Sequence, residues 1–108
     1  MDVVAQVSPG VCGLVSRIQA TSPDGMNVIV EIESACPRVQ AYAAQALTLD
    51  AFQELLGKPL AATMPVRLAA EHKLHTTCLV PLAVLKAAEA AASLALPQNA
   101  SIELGRVD

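Results

Sequence analysis

Two alternating segments joined by a turn signature constrain the fold of this chain most. Residues 14–21 alternate loosely between two sides, and in residues 26–33 the side chains of Val28, Val30 and Ile32 share one face. Ser22-Pro23-Asp24-Gly25 lies between them, with proline at the second and glycine at the fourth position of a type I turn. The pattern predicts an antiparallel β-hairpin with one apolar face.

The segments around the hairpin indicate the fold class. Residues 3–7 are short and β-branched, which predicts a further strand, and residues 101–107 alternate like a terminal strand. Helices are predicted for residues 37–46, 50–57, 66–73 and 82–95. Strands that come first and helices that follow predict an α+β fold, in which a small antiparallel sheet (the hairpin plus edge strands) is covered on one face by helices.

Length and composition limit the classes of protein to which this chain can belong. The 108 residues predict a single domain, residues 1–108, and the 54% apolar content predicts a well-buried core. A net charge of −3 and 2% aromatic residues argue against nucleic-acid binding. Residues 1–6 lack the basic region of a signal peptide, and the apolar run 79–96 is interrupted by Lys86 and Glu89. We therefore expect a cytoplasmic protein without a membrane span.

Three cysteines lie where the chain is expected to change direction. Cys12 is at the mouth of the first hairpin segment, Cys36 ends the second just before Pro37, and Cys78 precedes the Ala/Leu-rich helix. Helix N-termini favour thiolate over thiol, so the cysteines are candidates for a metal site or for sulfur chemistry. Free cysteine also packs often as a small buried hydrophobe, and the sequence leaves both interpretations open.

Histidine is the candidate for a further ligand. The chain has no Cys-x-x-Cys pair, so a zinc ribbon or a thioredoxin-like motif has no local support. In a domain with a radius of gyration of about 13 Å, distant cysteines can still converge. His75 is predicted to complete a Cys₃His zinc site or to cap a cluster, unless it only hydrogen-bonds a helix start. His72 is expected on a solvated face, between Glu71 and Lys73.

The surroundings of the three cysteines resemble a known family. They are Cys12-Gly13-Leu14, Ala35-Cys36-Pro37 and Thr77-Cys78-Leu79, the last before an alanine-rich helix. This order is similar to that of the U-type iron–sulfur cluster scaffold proteins (the NifU/IscU family), which have Cys-Gly-Asp, Gly-Cys-Gly and His-Cys-Ser there. The resemblance covers residues 10–92. Leu14 replaces the aspartate of the family, and Thr77 replaces its histidine.

The resemblance implies a SufE/NifU-like fold, an iron–sulfur cluster or zinc as cofactor, and a cysteine desulfurase or a cluster-acceptor protein as partner. It also implies Cys12, Cys36 and Cys78 as ligands. A looser resemblance, to small uncharacterised cysteine-containing domains of anaerobic prokaryotes, implies no activity.

Three hypotheses for the function follow. The first is a metal- or iron–sulfur-cluster-binding protein, not an enzyme, with Cys12, Cys36, Cys78 and His75 as ligands, in cluster assembly or transfer. The second is a thiol-based persulfide carrier or redox protein, for which a helix start and polar neighbours favour Cys78 as the reactive cysteine. The third is a structural or interaction module whose cysteines fill the core.

Overall fold

The computed structural model of this protein describes residues 1–44 and 47–107. Four strands form one antiparallel sheet in chain order: β1 (Asp2–Val7), β2 (Ser16–Thr21), β3 (Asn27–Ser34) and β4 (Leu47–Asp50). The described residues also form four α-helices: α1 (Pro37–Tyr42), α2 (Ala51–Leu56), α3 (Met64–Glu71) and α4 (Val80–Ala91), with a 3₁₀ turn (Leu60–Ala62) between α2 and α3. The predicted α+β class, with helices on one face of a small antiparallel sheet, is confirmed.

The sheet has one buried and one solvated face because its strands alternate. Ile18 lies opposite Ile32 and Ala20 opposite Val30 in the β2–β3 ladder, and these side chains point toward the helices. Ile18 and Ala20 are completely buried, whereas Arg17, their neighbour in β2, is exposed on the other face of the sheet. A one-residue slip would turn the apolar side chains to water, so the pattern fixes the register.

The turn between β2 and β3 is organised by one carboxylate. Asp24 Oδ1 accepts hydrogen bonds from the backbone N–H groups of Asn27 (2.8 Å) and Met26 (2.9 Å). These bonds stabilise the charged form and lower the pKa of Asp24 to about 2. Gly25 follows with a φ of +73°, a conformation that favours glycine. The predicted hairpin is therefore confirmed.

Helix α4 lies across the buried face of the sheet, where it contacts β1, β2 and α3. Its alanines, among them Ala87, Ala88 and Ala91, are buried, and such small side chains allow close packing. It begins at Val80 rather than Leu82, since Pro81 fits the first turn of a helix, and it ends at Ala91. In the described part of the chain, no helix combines the length and the apolar character needed to cross a membrane.

One predicted helix and one predicted strand differ from the structure. The helix predicted for residues 37–46 ends at Tyr42, and its last predicted residues, Gln45 and Ala46, lie outside the described residues. The predicted strand 101–107 is wrong: this segment has no regular structure and is exposed. The fourth strand is β4 instead, because its two leucines are buried beside the apolar side chains of β3.

Candidate thiol site

The β-sheet register brings Cys12 and Cys36 to the same end of the domain. Val7, the last residue of β1, is opposite Ser16, and Ser16 is opposite Ser34 at the end of β3. The β1–β2 loop that carries Cys12 therefore emerges beside the β3–α1 connection that carries Cys36. A backbone hydrogen bond from Ala35 N–H to the Val15 carbonyl (3.4 Å) joins these two segments.

The direction of α4 brings Cys78 to that end as well. The Ala92 carbonyl oxygen, just after α4, is 4.0 Å from where a Cβ on Gly25 would lie, at the tip of the β2–β3 hairpin. A helix of 12 residues is about 18 Å long, so the start of α4 lies at the opposite end of the sheet. Cys78, two residues before Val80, is therefore at the end where Cys12 and Cys36 are found. We call this the cysteine end.

Cys12 is the most accessible of the three free cysteines. It occupies a turn closed by a hydrogen bond from Gly13 N–H to the Gly10 carbonyl (3.0 Å). The φ angles of Gly10 (+89°) and Gly13 (+67°) are both positive, so the turn depends on glycine at both positions. Val11 and Cys12 are exposed at its tip.

Cys36 is half-buried against the core and is the N-cap residue of α1, as predicted for a helix start. Its thiol makes no capping hydrogen bond. Ser34 Oγ instead accepts hydrogen bonds from Cys36 N–H (3.0 Å) and from Ser16 Oγ (2.7 Å). Gln40 Nε2 donates to the Ser34 carbonyl (2.8 Å). Ser16 is buried, and a buried hydroxyl needs a hydrogen-bond partner, which Ser34 provides. The bonds of Ser34 in turn fix the position of the Cys36 backbone.

Cys78 is half-buried on the α3–α4 loop, and its N–H donates to the His75 carbonyl (2.8 Å). Burial raises the pKa of Tyr42 in α1 far above its usual value. The negative charge of a Cys78 thiolate adds to this effect, because Cys78 lies near Tyr42. Arg38 Nη1 donates to the Lys73 carbonyl (3.0 Å), which is a second contact between α1 and this loop. The segments that carry Cys36 and Cys78 are thus joined.

The two histidines lie near Cys78 but in different surroundings. His75 is exposed, and its Nδ1 is 3.2 Å from Thr77 Oγ1. His72 is also exposed, as predicted, but its ring packs edge-to-face on Tyr42, with ring centroids 6.2 Å apart. This contact gives His72 a packing role that the sequence did not indicate.

The cysteine end does not form a ready-made metal site in this conformation. Among residues 1–44 and 47–107, no group of three or more His, Cys, Asp or Glu side chains is arranged so that it could hold a metal ion. The described residues include Cys12, Cys36, Cys78 and His75. Their role as ligands stays a prediction that requires these segments to move closer together.

Comparison with known proteins assigns the chain to a family. The model of a family of unknown function (DUF6951) matches residues 3–104. The chain belongs to this family. No curated protein and no solved structure matches the chain.

The family match corrects the resemblance to the U-type scaffold proteins, which is wrong. The match extends from β1 to Leu104 and is to DUF6951, not to the NifU/IscU family. The resemblance depended on short motifs around the cysteines, and Leu14 and Thr77 already departed from two of them. Short local similarity of this kind does not define a family, because each motif fixes only a few residues.

Several residues that shape the site of this DUF6951 member were not predicted to be functional. Ser16 and Ser34 position the backbone at Cys36, and Tyr42 joins α1, which follows Cys36, to α3. A sequence signal existed for Ser16, since this serine occupies the apolar side of an alternating strand, where a polar group needs a partner. Its partner, Ser34, could be identified only from the β2–β3 register.

Proposed function

We propose that this DUF6951 domain is a thiol protein that binds a soft metal ion through Cys12, Cys36 and Cys78. The observation that carries the proposal is the topology: three separate connections each bring one free cysteine to the same end of the sheet. Thiolates are preferred ligands of Zn²⁺ and of iron–sulfur clusters, and ligands from separate segments can form one site when the chain folds.

The proposed site forms by movement of the Cys12 turn. Cys36 and Cys78 are held against the core, and the contact between Arg38 and Lys73 joins their segments. Cys12 is exposed on a loop with glycines on both sides of its tip, so it is the ligand that can approach the other two. His75, next to Cys78 on an exposed loop, is the fourth ligand of the proposal.

A second candidate function is that of a sulfur carrier with one reactive thiol. The exposure of Cys12, compared with the half-burial of Cys36 and Cys78, favours this alternative. A carrier needs an accessible thiol but no second ligand, so no rearrangement is required. The sequence favoured Cys78 as the carrier cysteine, whereas accessibility favours Cys12.

Metal binding by single-cysteine variants tests the proposal. The protein is purified without oxygen, its metal and sulfide contents are measured, and the metal-free form is titrated with Co²⁺ and Zn²⁺. We expect each of Cys12→Ser, Cys36→Ser and Cys78→Ser to weaken Zn²⁺ binding at least tenfold. His75→Ala should weaken it more than the matched control His72→Ala.

The same set of variants separates the alternatives. Binding that none of the three cysteine substitutions weakens would refute the metal site. No metal binding, together with modification of Cys12 by an electrophilic thiol reagent much faster than of Cys36 or Cys78, would favour the carrier. No metal binding and three equally slow thiols would leave the cysteines as structural residues.

The proposal includes the cytoplasmic location, since free thiols persist in a reducing compartment. The expectation of a cysteine desulfurase or a cluster acceptor as partner depended on the resemblance to the scaffold proteins, and it forms no part of the proposal.

A further inference from the structure

The first strand has an unprotected edge. β1 pairs with β2 on one side, and no strand among the described residues pairs with its other side. Edge strands are usually protected by charged residues, by proline or by a covering segment. Of the residues of β1, only Asp2 is charged, and none is proline. This edge therefore offers a surface to which another strand can add.

The hydrogen-bond pattern shows which groups of β1 point outward. Met1 N donates to the Ser22 carbonyl (2.8 Å), and Ser22 N–H donates to the Met1 carbonyl (3.2 Å), so these two residues are a hydrogen-bonded pair. Hydrogen-bonded and non-hydrogen-bonded pairs alternate along an antiparallel ladder. Val3 and Ala5 are therefore the residues of β1 whose backbone groups bond to β2. The N–H and C=O of Val4 therefore point away from β2, toward the outer edge.

The C-terminal arm, residues 99–107, has the pattern of a strand but no regular structure. Ile102 and Leu104 alternate with Ser101 and Glu103, and they are 68% and 94% exposed. Both apolar residues lie within the family match, which extends to residue 104, so they are part of the DUF6951 domain. The two apolar side chains, Ile102 and Leu104, stay in water, whereas their alternating pattern predicts an apolar surface to cover them.

A groove beside β1 has both apolar and charged walls. It is lined by residues 3–5, by Lys86, Ala87, Glu89 and Ala90 of α4, and by residues 96–98. Its apolar part, beside Ala87 and Ala90, is where the apolar side chains of such an arm would lie. The arm leaves the domain at this groove, directly after Gln98. The groove adjoins the inner face of the sheet, so apolar side chains placed in it would extend the core over α4.

The exposed area of the chain is larger than that of a compact monomer. A compact protein of 11.2 kDa is expected to expose about 5,700 Å², whereas this chain exposes 7076 Å². The excess is about 1,400 Å² per chain, or about 2,800 Å² for two chains. Stable interfaces between proteins bury about 1,200–2,000 Å² in total. Two copies therefore have enough surplus surface for a stable dimer.

We propose that the C-terminal arm of one copy adds as a fifth strand to the outer edge of β1 in a second copy, and that the two copies exchange arms symmetrically. Residues 101–107 are about 23 Å long as a strand, and the six residues of β1 are about 20 Å long, so their lengths match. Ile102 and Leu104 enter the groove between β1 and α4. The exchange uses one self-complementary pair of surfaces and closes after two copies.

The oligomeric state of the full chain tests the proposal. Light scattering after size exclusion and sedimentation velocity are measured over a wide concentration range. A reductant is present throughout, so that disulfides through Cys12 do not mimic the dimer. We expect the parent to have twice the mass of the 11.2 kDa chain.

Variants then locate the contact. Val4→Pro removes the outward N–H of the receiving edge, and Leu104→Asp places a charge in the arm. Each should weaken dimerisation at least tenfold. The matched control is Leu56→Asp on α2, which also replaces an exposed leucine (67% exposed) but should leave the dimer unchanged.

Mixing the two variants distinguishes exchange between copies from folding back within one copy. A Val4→Pro chain keeps a competent arm, and a Leu104→Asp chain keeps a competent edge, so the mixture should contain more dimer than either variant by itself. A parent protein that is monomeric at all concentrations would overturn the proposal. A dimer that withstands Leu104→Asp would overturn it too, even if Val4→Pro fails to fold.

Discussion

Removal of a single hydroxyl group from Tyr42 tests how the helices around the cysteine end are held together. Tyr42 is 1% exposed, and its hydroxyl donates to the Pro65 carbonyl of α3 at 2.9 Å in a buried position. Tyr42→Phe keeps the ring and its packing but removes the hydroxyl donor, so this carbonyl keeps only the bond that the helix itself supplies from the N–H four residues on. The hydrogen bond between α1 and α3 is the only contact that the substitution is designed to change.

The size of the effect follows from the loss of this one hydrogen bond. A typical intramolecular hydrogen bond contributes about 0.5–1.5 kcal/mol net to stability. For 108 residues, with an unfolding entropy of about 2.1 cal/mol/K per residue, a loss of 1 kcal/mol lowers Tm by about 4 °C. We therefore expect Tm to fall by about 2–7 °C in Tyr42→Phe.

Thermal unfolding followed by circular dichroism, with reductant present, measures this change. Thr76→Val is the matched control, because it removes the hydroxyl of an exposed residue and should shift Tm little. A Tyr42→Phe variant whose Tm matches that of the parent would show that the bond to Pro65 adds no net stability, and would refute the reasoning.

Alkaline titration gives an independent check, since Tyr42 is the only tyrosine and the chain has no tryptophan. Burial holds the pKa of Tyr42 above the usual value of 10. The unfolded chain ionises Tyr42 at lower pH than the folded protein does, so stability is retained below pH 10 and lost as the pH rises beyond it. Tyr42→Phe should lack this part of the loss. Ionisation of the folded protein at the ordinary tyrosine pKa would contradict the burial argument.

Two further predictions concern the acidic residues that organise the turn and a helix start. The pKa of Asp24, measured by NMR of its carboxyl group, should be about 2, so its contribution to stability is present above pH 3.8 and lost as the pH falls toward 2. Asp24→Asn should therefore lose less stability than the parent over that range, and a titration midpoint near 3.8 would contradict this. Asp50 accepts from the N–H groups of Phe52 and Gln53, so Asp50→Ala should destabilise the protein by about 0.5–2 kcal/mol in urea unfolding. Asp50→Asn should cost much less; equal losses in both variants would indicate that capping is not the cause.

Local patterns predicted those elements whose signals lie within a few residues. The hairpin was predictable because alternation and the Ser22-Pro23-Asp24-Gly25 turn agree, and the structure adds the Asp24 carboxylate that organises it. The start and end of α2 were predictable because Asp50 caps the first N–H groups and Gly57 follows the last helical residue. These signals act through neighbouring backbone groups, so they need no tertiary contact.

The choice of the fourth strand could not be predicted in this way. Leu47–Asp50 and residues 101–107 both alternate between apolar and polar side chains. The first pairs with β3 and buries its leucines, whereas the second remains exposed within the chain. Alternation indicates that a segment can form a strand, but the strand forms only where the edge of another strand is available for pairing.

The sequence by itself determined the one-sided sheet, the hairpin, the helix caps and the positions of the cysteines at connections between elements. The tertiary structure decided that Cys12, Cys36 and Cys78 share one end of the domain, that Cys12 alone is exposed there, and that Tyr42 and Ser34 position the segments around them. The physical reason is range. Caps and alternation depend on groups close in the chain, whereas the place of each cysteine depends on the register of the sheet and on the direction in which α4 packs across it.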